Sequence, residues 1–274
     1  MKFTIGVIKN ILVLTSKVID NPSISKDSKI HNIRVLSKKM RSILYLIKPY
    51  LKNKEFFQSQ NIFYKELSKI FSQEREKKVM FDTFTWIVKK CKLSLDDTSD
   101  IQVALRQNME NNIILDSNID KKLQICEQSI LMAISNLHTF ENYIPKNLTL
   151  GFKKTYQEAY EDLIFALITR DIEDIHLFRK YAKYHMYQIQ LFPNQIKHPK
   201  KRIKDLDKLT SILGRIHDLA LLKNYLQNNT NLTNSDILIF CIAKIQKKLI
   251  KKVLKSARKI FKYSPKKLKL SKTS

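Results

Sequence analysis

Between Ile30 and Ile47 the chain carries His31, Arg34, Lys38 and Arg41, a spacing of i, i+3, i+7 and i+10. On a helix turning about 100° per residue these four groups fall within an arc of about 80°, while Leu36, Met40, Ile43, Leu44 and Ile47 gather opposite. The chemistry open to such a set is anion binding. A rail of positive charge about 15 Å long exceeds what one phosphate needs and suits a polymer of them. Basic helix faces are commonly plain solvated surface, so the weight rests on a second copy. His176, Arg179 and Lys183 repeat the H-x-x-R-x-x-x-K spacing, again opposite an apolar side.

The whole composition points the same way. The 274 residues carry a formal net charge of +26, which implies a polyanionic partner: nucleic acid, an anionic membrane surface or a phosphate polymer. Only three glycines and six prolines interrupt the chain, and apolar residues recur at helical spacing in nearly every segment. An all-α protein of one or two domains is expected. Cys91, Cys126 and Cys241 lie far apart without C-x-x-C spacing, so neither a disulfide framework nor a zinc site is indicated, and a reducing compartment is expected. The N-terminus is a poor signal peptide because Lys9 and Asn10 interrupt its apolar stretch. The longest apolar run elsewhere, Ile237 to Ala243, is too short to cross a bilayer. A soluble, cytoplasmic protein is expected.

The elements that must hold the rails follow in order. A first helix covers Phe3 to Ile19 and stops before Pro22. Ser25 or Asp27 can cap the rail helix, which ends near Pro49. The segment Asn61 to Cys91 offers Phe63, Leu67, Ile70, Val79, Phe84, Ile87 and Val88 to a core, with Trp86 as a packing residue. Helices are expected at Ile101 to Leu115 and at Ile119 to Tyr143, with His138 structural. A domain boundary falls at Pro145 to Leu150. Beyond it come helices at Phe152 to Ile168, at Asp174 to Phe192 with the second rail, at Lys200 to Leu226, and at Ser235 to Tyr263. Thirteen Lys and Arg and no acidic residue follow Asp236. They read either as solvated charge or, for Lys244, Lys248, Lys252, Lys255 and Lys259, as an extension of a basic channel. The order repeats: a helix, a His-Arg-Lys rail, then a helix with a small charged cluster. Duplicated halves would bring the rails together across a pseudo-two-fold axis.

The residues IHNIRVLSKKMR from Ile30, GFKKTY from Gly151, IHLFRKYAKYHMYQ from Ile175 and LDKLTSILGRIHDLALL from Leu206, in this order and spacing, resemble the CHAD domain, the conserved histidine α-helical domain. The resemblance covers nearly the full length. It implies an all-α fold of two four-helix bundles with internal two-fold symmetry around a basic central cavity that binds inorganic polyphosphate. The halves would be 1–148 and 149–264, followed by a basic tail at 265–274. By motif position, His31, Arg34, Lys38, Lys39 and Arg41 would line one side, and His176, Arg179, Lys180 and Lys183 the other. Arg75, Lys248, Lys252 and Lys255 are additional candidates. The sequence departs from the family where Tyr184 and Met186 replace basic residues. The R-D pair common after the first rail reads Arg75-Glu76, with Ser72 and Gln73 where a glycine precedes it.

Polyphosphate offers neither base edges nor sugars, so recognition falls to Arg forks and Lys point charges. His31 and His176 can donate hydrogen bonds, and a bound polyanion favours their protonated form. His185 and His217 read as structural or supporting. Glu74, Glu76 and Lys78 spell E-x-E-x-K, a pattern of triphosphate-tunnel hydrolases, but no strands are expected to build such a barrel. No Ser-His-Asp, P-loop or H-E-x-x-H pattern appears. A binding module without cofactor or metal, and not an enzyme, is therefore expected. Nucleic-acid binding is the main alternative, since phosphate contacts dominate affinity there too. No recognition-helix motif, zinc finger or aromatic platform supports it. A structural adaptor on ribosomal or granule surfaces is a third reading.

Overall fold

The computed structural model describes residues 2–94, 96–110, 116–229, 231–268 and 270. Helices α1 (Lys2–Asp20), α2 (Lys26–Ile47), α3 (Glu55–Lys69) and α4 (Ser72–Cys91) come first. Next are α5 (Ser99–Glu110), α6 (Asp116–Ser135) and the short α7 (His138–Glu141), and then α8 (Thr149–Thr169), α9 (Ile172–Leu191), α10 (Pro199–Asn228) and α11 (Ser235–Ile260). The described residues form no sheet. A lone bridge joins Ile196 to Leu270. No helix among them is long and apolar enough to cross a membrane.

The two rail helices start where side chains satisfy their free N–H groups. Ser25 caps α2 by accepting from the Ser28 N–H, and Asp171 caps α9 by accepting from Glu173 N–H at 2.8 Å. On α2 the apolar face is fully used: Ile33, Leu36, Met40, Ile43, Leu44 and Ile47 are all buried. They share the main core with Phe152, Tyr156 and Ala159 of α8 and with Phe178, Ala182 and Ile189 of α9. A second core joins Phe84, Ile87 and Val88 of α4 to Ile101 and Leu105 of α5, Leu219 and Leu222 of α10, and Leu238 and Ile242 of α11. Both cores draw on residues from before and after Leu148.

Helices α2, α8 and α9 pack directly on one another, and two features make that possible. A Cβ on Gly151 would lie 1.8 Å from the Leu46 carbonyl oxygen, so α8 crosses α2 at a distance that only glycine permits. The Tyr50 hydroxyl accepts from the Leu150 N–H at 2.8 Å beside this crossing. Buried Gln188 of α9 donates to the Ser42 carbonyl (2.9 Å) and to Thr155 Oγ1 (3.0 Å), a polar tie among the three helices.

Several expectations need correction. The helix expected over Ile119 to Tyr143 breaks after Ser135, where Leu137 turns its side chain into the core, and only α7 resumes it. The last helix stops at Ile260 rather than Tyr263, because buried Phe261 leaves the helical path. Within the expected basic tail, Pro265–Lys267 forms a single 3-10 turn. The expected helical residues 111–115, and Lys269 and 271–274 of the expected tail, lie outside the described residues. Cys91 and Cys241, distant in sequence, meet across α4 and α11; burial, then the Cys241 thiol, pushes the Cys91 thiol up to about 11.

Candidate anion-binding cleft

Both rails open onto one cleft of about 610 Å³. Helix α2 contributes His31, Arg34, Lys38 and Arg41, and α9 contributes His176, Arg179, Lys180 and Lys183. Two further helices close it: Arg75 and Glu76 come from α4, His217 and Asp218 from α10. Val35, Val79, Leu177 and Leu221 fill between the charges. Seven cations thus face two carboxylates, a net of five positive charges before any histidine is protonated. Such a concentration focuses field lines into the cleft.

The guanidinium groups are held in place from outside. Arg34 donates to the Ser68 carbonyl at 2.7 Å, and Arg41 Nε donates to Asn61 Oδ1 at 3.0 Å, so α3 orients both and leaves their remaining N–H groups for an anion. Arg41 also lies over the Tyr184 ring at 5.9 Å, so the residue that thins the second rail still serves the first. Arg179 has no such tether. Its Nε is buried without a hydrogen-bond partner, and its fork lies over Gly214, where a Cβ would come within 3.4 Å of Nη2. Gly214 is therefore the floor that lets the guanidinium reach the cleft. The rings of His176 and His217 stand 4.7 Å apart.

Burial in this partly dry space penalises the charged forms of Arg34, Lys38, Arg179 and Lys183. Burial, followed by Arg179, Arg34, Lys183 and Arg75, brings the Lys38 ammonium down to about 8. Burial lowers Lys183, with Arg179 adding to it. Burial and neighbouring cations also lower His31 and His176. His217 falls to about 4 through burial, His176, Arg179 and Lys38. Asp218 is raised by burial, against the opposing pull of Arg179. The cleft is thus a site whose bases would take up protons if a polyanion entered.

Not every sequence candidate reaches it. Lys39, one residue past Lys38, turns about 100° away from the rail and does not line the cleft. Lys248, Lys252 and Lys255 do not line it either: Lys252 faces a hollow between α10 and α11, and Lys255 faces another between α11 and the end of α8. The lysines of α11 therefore do not extend the channel: α11 packs on α10, α4 and α8, and none of its residues lines the cleft. Arg75 does line the cleft despite its altered motif. His217 and Asp218 stand beside His176 and Arg179, closer to the anion space than a supporting role implied. The sequence spacing could have pointed to them, since Asp218 follows His176 by 42 residues and Glu76 follows His31 by 45. His185 is fully buried against Tyr156 and Phe261. The E-x-E-x-K residues are divided: Glu74 pairs with Lys122, Lys78 with Asp27, and Glu76 alone faces the cleft.

The family model described as the CHAD domain matches residues 16–227, from the end of α1 almost to the end of α10. No curated protein and no solved structure matches the chain.

Proposed function

Because the chain belongs to the CHAD domain family, we propose that it binds inorganic polyphosphate in the cleft between the two rails. The observation that carries this reading is the convergence of seven cations from three helices, α2, α4 and α9, on one concave space, with two carboxylates against them. A thin, flexible phosphate chain can enter such a space and be met from both sides, whereas a duplex is too bulky to do so. Arg34, Arg41 and Arg179 supply planar forks for non-bridging oxygens. Lys38, Lys180, Lys183 and Arg75 supply adjustable charge. His31, His176 and His217 gain protons as the anion arrives, and Asp218 favours the charged form of Arg179.

In the same reading, α2 with α4 and α9 with α10 are the matching parts of two helical bundles, 1–148 and 149–264, related by a pseudo-two-fold axis through the cleft. Binding rather than hydrolysis is the proposed activity, since the carboxylates of the E-x-E-x-K pattern do not converge. The test is a competition titration of long polyphosphate against DNA and RNA of equal charge at matched ionic strength. Polyphosphate is expected to win by at least tenfold. Equal or tighter binding of duplex DNA would transfer the site to the nucleic-acid reading.

A further inference from the structure

The cations of α11 that miss the cleft have another place in the fold. Lys247, Lys251, Lys255 and Arg258 recur at helical spacing and rim a hollow of about 860 Å³ between α11 and the corner joining α8 to α9. Arg170 completes the rim from the opposite side, held in the left-handed conformation (φ 56°) as the C-terminal cap of α8. The floor is apolar, made by Leu167, Ile172, Ile250 and Leu254, with the small Ala243 at one end. Gln246 turns its amide inward, donating to the Ile216 carbonyl at 3.1 Å, so it does not make the floor polar.

The apolar stripe runs on beyond the hollow. Phe240, one turn before Ala243 on the same face, is 68% exposed. On α8, Ile164 and Ile168 border Leu167 and are 40% and 75% exposed. From Phe240 to Arg258 the α11 edge measures about 27 Å, the length of a five-turn helix. Every charged residue lining the hollow is a cation.

These features select an occupant. A flat bilayer does not fill a concave floor, and a nucleic acid offers no apolar stripe to Ile250 and Leu254. A second copy of this chain brings a net charge of +26 against a cationic rim, which opposes self-docking. What fits both floor and rim is a helix with apolar residues at i, i+3, i+4 and i+7 and carboxylates on either side. We propose that the groove between α11 and the α8–α9 corner is a docking site for an acidic amphipathic helix of a partner protein. No residue lining this groove lines the cleft, so the surface is independent of the polyphosphate reading.

The test uses the full chain and fluorescence anisotropy at about 0.15 M salt. One labelled 18-residue peptide carries a leucine stripe flanked by glutamates; a second has the same composition in scrambled order. The striped peptide is expected to bind at least tenfold tighter. Lys251→Glu/Lys255→Glu, which alters exposed residues only, and Ile250→Asp should each weaken it at least tenfold. The cleft variant Arg34→Ala/Arg179→Ala should bind it within twofold of wild type, and phosphatidylglycerol vesicles should not displace it. Equal binding of the two peptides, or wild-type binding by the charge-reversed variant, overturns the proposal. Displacement by the vesicles also overturns it, in favour of a lipid surface.

Discussion

Lys38 offers a direct measure of whether the cleft holds a polyanion. Its ammonium is brought down to about 8 against an ordinary 10.5, chiefly because it is buried and then because Arg179 and Arg34 face it. A bound phosphate chain supplies the opposite charge and restores the higher value, so binding takes up a proton wherever the pH lies between the two. The sign follows: the Lys38 contribution to affinity is level below about pH 8 and falls as pH rises above it. Lys38 is about nine-tenths protonated at pH 7 and about one-tenth at pH 9, so affinity falls about tenfold over that interval, or about 1.4 kcal/mol. Lys183, lowered in the same direction, adds to the fall. Calorimetric titration of long polyphosphate at pH 7, 8 and 9, in buffers of differing ionisation enthalpy, reads both the affinity and the protons taken up. Lys38→Arg keeps its charge throughout and should flatten the profile while retaining neutral-pH affinity. A wild-type profile flat from pH 7 to 9, or a Lys38→Arg profile as steep as wild type, would refute the reasoning.

Arg34→Ala and Arg179→Ala should each weaken polyphosphate binding at least tenfold, and together they should flatten the slope of log affinity against log salt, because fewer counterions are released. Lys248→Ala, on exposed α11 outside the cleft, should change affinity less than twofold, since such a charge is screened within about 8 Å at physiological salt. Gly214→Ala should raise helix stability by about 0.5–1 kcal/mol while leaving affinity nearly intact, because the Arg179 fork can shift slightly. Gly214→Leu should displace that fork and weaken binding at least tenfold with the circular dichroism unchanged; normal binding by this variant would remove Arg179 from the site. Gly151→Ala meets backbone rather than a movable side chain and should cost about 3 kcal/mol or more in thermal or urea unfolding, the upper end for overpacking.

Much of the fold was legible without coordinates because helical period is a local property. The apolar faces of α2 and α10 were readable residue by residue, and the described residues are helical as that period implied. Where helices break was less visible: nothing in the pattern over Ile119 to Tyr143 marks Ser135 as an end, because the turn there serves a tertiary contact of Leu137. The repeated H-x-x-R-x-x-x-K spacing likewise exposed the two rails, since side chains at i, i+3 and i+7 share a face wherever a helix forms.

Spacing orders charges along one helix and says nothing of which other helix faces them. The meeting of α2 with α9 rests on Gly151 and on the buried Gln188 tie, neither of which announces a site. The entry of His217 and Asp218 beside Arg179 depends on how α10 crosses α9, and the floor that Gly214 provides is visible only once Arg179 lies over it. The lysines of α11 have the same local pattern as a rail, yet packing turns them to other hollows. Sequence by itself determined which residues could act on an anion, because side-chain chemistry and helical period are written there. Tertiary structure alone decided which of them act together, because the field in a cleft sums over groups that distant helices bring within a few ångströms.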